Sequence, residues 1–260
     1  MTSRRLFTAT LLAAMTYGMT AMAQADSDAK KDLAPTGKLR AAINLGNSVL
    51  AQSGPDGPKG ITVDLARELG KKLNVPVELT TYDAAGKVFD DAKNNKWDIA
   101  FVAIEPVRAE IIEFTAPYVI IEGCYAVLQD SPLKSPVDVD KPGIRVGVNV
   151  NSAYDLFLTR SLKHAQLVRS EDGAQTFLDQ KLEACGGVKQ ALQKFIAQHP
   201  EMRLIDERFM EIRQAMGCAK GKLAGAGYLR AFIEEMKASG FVANELKKSG
   251  QHDAAVAPAE

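Results

Sequence analysis

Short apolar runs alternate along the first half of the chain with stretches whose apolar residues recur at helical spacing. Strand-like runs begin at Leu39, Val77 and Trp97. Between them, residues 62–73 place Leu residues on one helical face, and residues 84–95 form a second amphipathic stretch. A strand–helix–strand–helix–strand order of this kind predicts a parallel sheet with crossover helices.

A long β-prone run from Tyr118 to Gln129 follows, and it predicts a strand that leaves the first unit. A second series of strands and helices occupies residues 144–218, and residues 225–239 form a strongly amphipathic helix. We therefore predict an α/β fold of two lobes joined by two crossing strands. The first lobe would comprise residues 37–122 and 220–250, and the second residues 123–219.

The ends of the chain have a different composition from its middle. Arg4 and Arg5 precede an uncharged, mostly apolar stretch, and Ala21-Met22-Ala23 fits a cleavage site, so residues 1–23 are predicted to be a signal peptide. Residues 24–36 are polar and predict a disordered leader, and residues 251–260 predict a loose tail. No later segment is long and apolar enough to cross a membrane, so we expect an exported protein that is not embedded in the membrane.

Charge and cysteine content narrow the class of protein. Lys+Arg and Asp+Glu both total 32, so nothing indicates a nucleic-acid partner. The three cysteines, Cys124, Cys185 and Cys218, are too few for a disulfide framework. One bridge with a free thiol and three buried thiols both remain open. His and Cys do not recur at metal-ligand spacing, so we expect no metal and no cofactor.

Arg108 is the main candidate functional residue. It lies just beyond the strand that starts at Trp97, after a turn at Pro106, and open α/β sheets bind ligands at the carboxyl ends of their strands. The planar guanidinium group donates two parallel hydrogen bonds to a carboxylate. The alternative is a surface arginine that pairs with Glu105 or Glu110.

Two neighbouring segments carry a resemblance to a known family. The segment from Ile104 to Arg108 reads Ile-Glu-Pro-Val-Arg, and that from Glu113 to Tyr118 reads Glu-Phe-Thr-Ala-Pro-Tyr. This order resembles the Ile-Thr-Pro-Glu-Arg and Asp-Phe-Ser-Pro-Tyr motifs of the extracytoplasmic solute-binding proteins of family 3, the receptors of amino-acid-type ABC importers. The resemblance implies a monomeric periplasmic clamshell of type II that delivers its ligand to an inner-membrane permease. It also implies that Arg108 holds the ligand's carboxylate.

The resemblance extends the candidate site to both lobes. Asn151 and Ser152 follow a strand and open a helix, where backbone N–H groups favour an anion, although the family usually has Gly at the position of Asn151. Ser152 could equally be a helix cap only. Asn47 stands near the place of an aromatic residue in the family, which suggests a hydrogen-bonded rather than stacked ligand, or else a plain turn residue.

Departures from the family bear on the ligand. Phe101 and Ala103 lie where amino-acid binders carry hydroxyl groups, in a segment that is also shorter than usual. No acidic residue stands near Val188, where the family holds an ammonium group, and Lys189 follows it. A buried ammonium group without an acceptor is costly. We therefore expect a carboxylate without an ammonium group, or one with a second anionic group near Lys189, which could also be a plain exposed helix residue.

Three functions compete at this stage. The first is a non-catalytic receptor for an importer, which we favour. The second is an enzyme on the same fold, because the family includes a cyclohexadienyl dehydratase, with Glu105 as the acid or base that the motif offers. The third is a ligand-sensing protein without a role in transport.

Overall fold

The computed structural model describes residue 24 and residues 26–251 and 253–260. The predicted signal peptide lies outside the described residues. The strands are β1 (Leu39–Asn44), β2 (Val77–Tyr82), β3 (Ile99–Ala103), β4 (Ile112–Leu128), β5 (Arg145–Asn149), β6 (Gln166–Ser170), β7 (Ala184–Val188), β8 (Met202–Leu204), β9 (Met210–Ala219) and β10 (Ala255–Val256). The helices named here are α1 (Ile61–Leu73), α2 (Ala85–Ala92), α3 (Pro106–Ala109), α4 (Pro136–Val139), α5 (Ala153–Ser161), α6 (Gly173–Asp179), α7 (Lys189–Ile196), α8 (Leu223–Ala238) and α9 (Phe241–Lys248).

The strands follow the order β2-β1-β3-β9-β4-β7-β5-β6. Within each half, three strands are parallel: β1 with β2 and β3, and β5 with β6 and β7. The long strands β4 and β9 run antiparallel to each other through the middle and also pair with β7 and β3, respectively. The fold therefore has two lobes, each with parallel strands, and two crossing strands join them, as the sequence predicted.

The two lobes repeat one internal feature. In the first, the guanidinium group of Arg40 on β1 donates to both carboxylate oxygens of Asp98, with Nη2–Oδ1 at 2.7 Å. In the second, Arg145 on β5 makes the same paired contact with Glu183, with Nη2–Oε1 at 2.8 Å. Both pairs fasten the central strand of a lobe to the segment that precedes its third strand.

Strand β9 passes from the second lobe to the first. The sequence predicts that residues 214–219, at the end of the second-lobe segment 123–219, return to the first lobe. In the structure, Gln214 to Cys218 pair with β3 in register, with Ala103 opposite Gln214 and Ile99 opposite Cys218. This part of β9 therefore adds a strand to the sheet of the first lobe.

The predicted disordered leader is wrong for most of its length. Residues 26–33 are helical, and Ala29 and Leu33, one turn apart, are buried. Leu33 lies against Gly225 in α8, and the carboxylate of Asp32 accepts a hydrogen bond from the Gly225 N–H group at 3.0 Å. A polar average composition concealed two apolar residues on one helical face.

The prediction of a loose tail is also wrong. Strand β10 pairs antiparallel with β4, with Ala255 opposite Ile120 and Val256 opposite Val119. The next residue, Ala257, is buried and donates its N–H group to the carbonyl of Tyr118 at 3.1 Å. Backbone pairing of this kind requires no distinctive side chains, so an Ala- and Pro-rich sequence gave no sign of it.

All three cysteines are free thiols and are buried, which decides between the two alternatives in favour of three buried thiols. Burial raises the pKa of Cys124 and Cys218 to about 11 and that of Cys185 to about 12. None of the helices in the described part of the chain has the length and apolar character needed to cross a bilayer.

Candidate functional site

A cavity of about 70 Å³ lies between the lobes, at the carboxyl ends of β1, β3 and β5. Both lobes and the crossing strand β9 line it. Its lining residues are Asn44, Gly46, Asn47, Asp83, Ala84, Ala85, Val102, Ala103, Arg108, Asn149, Val150, Ser152, Ala153, Tyr154, Val188, Ile212 and Gln214. Four predicted residues, Arg108, Asn47, Ala103 and Ser152, are among them.

Arg108 belongs to α3, a single turn that begins at Pro106 and carries the side chain back toward the end of β3. The side chain is 1% exposed. Its Nη1 donates to the carbonyl of Ala103 at 3.1 Å, and its Nη2 donates to the carbonyl of Asn151, in the second lobe, at 2.9 Å. Its Nε has no hydrogen-bond partner among the described residues. Burial lowers the pKa of Arg108 to about 10, opposed by the charge of Glu105.

The start of α5 supplies the second lobe's part of the site. Ser152 caps the helix, since its hydroxyl accepts a hydrogen bond from the Asp155 N–H group at 3.1 Å. Asn151 has a left-handed backbone with a φ of 57°, a conformation that Asn adopts more readily than most residues. The Asn151 N–H group donates to the carboxylate of Asp155 at 2.8 Å. That N–H group is therefore occupied, and Asn151 contributes its carbonyl, to Arg108, instead of an anion-binding donor.

Polar amides line the first lobe's side of the cavity. The side-chain oxygen of Asn47 accepts a hydrogen bond from Val49 N–H at 3.2 Å, and that of Asn44 accepts one from Gly46 N–H at 3.0 Å. Both arrangements are Asx turns, which hold the loop after β1 in place. The turn interpretation of Asn47 and its position at the cavity are therefore compatible.

Two predicted site residues lie elsewhere. Phe101 is fully buried in the core of the first lobe, where its ring packs edge-on against Tyr118 at 6.1 Å between centroids. The cavity lies at the carboxyl end of β3, so it reaches only Val102 and Ala103, the last two residues of that strand. Lys189 points to the crossing strand β4, where its Nζ contacts the carboxylate of Glu122 at 2.8 Å.

The sequence did not single out several residues that line the cavity. Gln214 is buried on the crossing strand β9, and Asp83 lies at the edge of the cavity with its carboxylate 2.8 Å from Lys87 Nζ. Tyr154, which the sequence favours as a packing residue, is buried there, and burial raises its pKa. The strand-end rule could have indicated Asp83, because it directly follows β2.

The alternative interpretation of Arg108 was a surface residue paired with Glu105. In the structure, Glu105 does not pair with Arg108 directly. Its side chain is 2% exposed and forms an ion pair with Arg160, which lies on α5 in the second lobe. Arg160 in turn lies over the ring of Phe157, 5.2 Å from its centroid. The lobes are thus in contact at two charged points beside the cavity, Arg108 with Asn151 and Glu105 with Arg160.

The model of the bacterial extracellular solute-binding proteins, family 3, matches residues 48–252, most of the chain. The chain belongs to this family. The match confirms the family inferred from the motifs at Arg108 and Tyr118.

Solved structures agree with this family's two-lobed fold. A mutant of ArgBP from T. maritima superposes with a TM-score of 0.73 at 18% identity, over 86% of this chain and 100% of that one. A putative ABC-transporter binding component from Wolinella succinogenes, complexed with lysine, gives 0.70 at 22% identity, over 82% and 95%. At these identities the likeness shows the fold, which is the predicted type II clamshell.

A curated relative points to a second kind of protein. Membrane-bound lytic murein transglycosylase F from Vibrio cholerae is 32% identical over 96 residues, 36% of this chain. The match covers 18% of the length of that relative. About a third of this chain is therefore similar in sequence to a short segment of a longer protein that is named as an enzyme.

Proposed function

We propose that this family 3 protein is a periplasmic receptor that captures a compact carboxylate between its lobes and delivers it to an ABC importer. The observation that carries the proposal is the Arg108 guanidinium group, buried at the cavity with its Nε unpartnered among the described residues. A buried cation with a free donor is stabilised by an anion that fills its remaining hydrogen-bonding capacity.

The dimensions of the cavity favour a small ligand. Ligand pockets for drug-sized molecules measure roughly 300–1,000 Å³. The cavity here is about 70 Å³, so a solute larger than a few heavy atoms requires the lobes to separate further. Closure around the solute would then create the form that an importer recognises.

The groups around the cavity favour a ligand whose charge is negative. Arg108 is the buried charge, and the amides of Asn44, Asn47 and Gln214 offer donors and acceptors without a net charge. Asp83, at the edge, is already paired with Lys87. An α-ammonium group would find no buried carboxylate among the lining residues, which supports an organic acid over an ordinary amino acid. Since Lys189 pairs with Glu122, a second anionic group at Lys189 is not part of the proposal.

An enzymatic role is the second candidate, and the similarity to the transglycosylase favours it. Glu105, the acid that the motif offered, is held by Arg160, which leaves Asp83 as the carboxylate that lines the cavity. Incubation of the protein with the solute that it binds, followed by analysis for products, distinguishes the two candidates. Conversion of the solute would support the enzyme, and unchanged solute the receptor.

The receptor proposal is tested by identifying the bound solute. The purified protein is analysed by native mass spectrometry, and thermal shift and calorimetry are measured with a panel of small organic acids and amino acids. Arg108→Met should weaken binding of the best ligand by about 2–5 kcal/mol, that is, about thirtyfold or more. Arg145→Met, which removes an arginine of the second lobe that is paired with Glu183, is the control and should bind normally.

Two results would contradict the proposal. A protein that retains no solute and binds no member of the panel, or one whose binding survives Arg108→Met, would remove the carboxylate receptor. Binding of a standard amino acid at micromolar strength, with no binding of simple organic acids, would remove the preference for a ligand without an ammonium group.

A further inference from the structure

The ion pair between Glu105 and Arg160 crosses the cleft. Glu105 is the residue before α3 in the first lobe, and Arg160 lies in the last turn of α5 in the second. In the family motif Ile-Thr-Pro-Glu-Arg the position of Glu105 is Thr, so the charge is a feature of this chain. The side chain of Glu105 is 2% exposed, whereas that of Arg160 is 45% exposed.

Burial of Glu105 makes its partner energetically important. A carboxylate withdrawn from water is costly unless a cation and hydrogen bonds compensate it, and removing one partner leaves the other charge buried and unpaired. Separation of the lobes would break the pair and let water reach the cleft. The closed arrangement therefore depends on Arg160, and loss of Arg160 can be relieved by opening.

The surroundings hold Arg160 in position for this contact. Its guanidinium carbon lies 5.2 Å from the centroid of the Phe157 ring, and Phe157 stacks on Phe209, with centroids 6.1 Å apart. A cation over an aromatic face is attracted to it, and the contact restricts the long side chain. Arg160 thus presents its charge to Glu105 of the first lobe.

We infer that Glu105 and Arg160 are a positioning pair that holds the lobes closed and so determines the affinity for the solute. A pair that favours the closed form in the free protein reduces the part of the binding free energy that is lost in closure. The part of the inference that concerns affinity rests on the proposed function. The part that concerns closure does not, since closure of the free protein is measured without any ligand.

The chain offers a matched control within one lobe. Arg169 and Asp155 form an ion pair with nearly the same exposures, 40% and 2%, and both belong to the second lobe. Arg160→Gln and Arg169→Gln therefore each remove a half-exposed arginine from a buried carboxylate. They differ in whether the broken pair crosses the cleft.

The test is small-angle X-ray scattering on the ligand-free protein and the two variants. Arg160→Gln should increase the radius of gyration, and Arg169→Gln should leave it at the value of the parent. For the solute found in the panel, Arg160→Gln should raise Kd about tenfold or more and mainly increase the dissociation rate. Arg160→Lys, which keeps the charge, should restore at least part of the closure.

The inference is overturned if Arg160→Gln leaves the radius of gyration unchanged, or if Arg169→Gln increases it equally. Should Arg160→Gln not fold, the double variant Glu105→Gln/Arg160→Gln takes its place, because it leaves no unpaired charge. An unchanged radius of gyration in that variant has the same consequence. If no solute binds to any form, the scattering result still decides closure, and the receptor proposal fails independently.

Discussion

Gly86 of the first lobe lies directly against Asn151 of the second. A Cβ atom added at Gly86 would come within 2.8 Å of the Asn151 Cβ atom, closer than side-chain carbons approach each other. Asn151 is held in its left-handed conformation by the hydrogen bond to Asp155 and by the contact with Arg108. The close approach of the lobes therefore requires the absence of a side chain at position 86.

Gly86→Ala should consequently hold the lobes apart. An alanine in a helix normally stabilises by about 0.5–1 kcal/mol relative to glycine, so the variant should fold well while its cleft cannot close. Small-angle scattering should show a larger radius of gyration, and the solute should bind more weakly. Gly227→Ala in α8, where a Cβ atom meets nothing within 4 Å, is the control and should bind normally. Normal binding by Gly86→Ala would show that this contact does not limit closure.

Arg108→Met should leave the ligand-free protein at least as stable as the parent. Burial lowers the pKa of Arg108 to about 10, which means that folding disfavours its charged form. Between that value and the higher pKa of an arginine in the unfolded chain, the unfolded chain holds more protons, so the free energy of unfolding increases as pH rises. At pH 7 the full cost of burying the charge is present. Methionine removes that cost, although it also loses two hydrogen bonds to carbonyls.

Thermal unfolding with and without solute tests this prediction. The melting temperature of the ligand-free variant should equal or exceed that of the parent, while the stabilisation by added solute should disappear. If the melting temperature of the ligand-free variant were several degrees below that of the parent, Arg108 would stabilise the fold itself. Its burial would then not indicate a role in binding an anion.

Removal of residues 253–260 should loosen the crossing strand β4. The deletion breaks the pairing of β10 with Val119 and Ile120 and exposes the surface that Ala257 covers. We expect a loss of about 1–3 kcal/mol in the free energy of unfolding, from a few hydrogen bonds and a small buried area. Urea unfolding measures the loss, and hydrogen exchange should be faster at β4 residues 118–121.

Deletion of residues 259–260 alone provides the control for that truncation. It removes the ion pair between Arg213 and Glu260, in which both side chains are about half exposed. Such pairs contribute about 0–1 kcal/mol, so stability should hardly change. An equal effect of the two deletions would assign the stabilisation to Glu260 instead of to strand pairing.

Glu122 should make the protein sensitive to acid at the crossing strand. Hydrogen bonds from Lys189 and then Arg208 hold its pKa below the usual 4.5. Since the folded-state pKa is lowered, the stabilisation is present above 4.5 and is lost as pH falls through the folded-state value. Glu122→Gln should therefore lower the melting temperature at pH 7, and the difference from the parent should shrink at pH below 4.5.

Glu207→Gln, a change at an exposed residue on the loop before β9, is the control, and its melting temperature at pH 7 should stay close to that of the parent. A difference for Glu122→Gln that stays constant from pH 7 to pH 3 would mean that its charge is not what stabilises the strand.

Local patterns predicted most of the architecture. The spacing of Leu65, Leu69 and Leu73 predicted α1, because a period of 3.6 places them on one buried face. The continuous apolar run that starts at Trp97 predicted β3, whose residues are all buried. The order of these elements was enough to indicate two lobes with parallel strands. The sequence did not predict that residues 26–33 and 255–256 are structured. Their structure depends on distant partners, Gly225 and β4, which local sequence patterns do not reveal.

The candidate site was predictable only in part. The strand-end position of Arg108 follows from the sequence, and the structure places it at the cavity. The family correspondence did not reveal that the cavity reaches only Val102 and Ala103 on β3, or that Lys189 pairs with a nearby acid, Glu122 on β4. Contacts across the cleft, such as that of Glu105 with Arg160, depend on how two lobes meet and have no signature in either segment.

Strand β9 has a consequence for the order in which the chain acquires its structure. The second lobe is built from one uninterrupted stretch that ends as β9 begins, whereas the sheet of the first lobe is completed only when Gln214 to Cys218 pair with β3. During synthesis, which starts at the amino terminus, the strands of the second lobe are therefore all available while the first lobe still lacks its last strand, the carboxyl-terminal part of β9. Domains usually fold as units once their segments are present. The amino-terminal half must then wait for the carboxyl-terminal half, the reverse of the order in which they are synthesised.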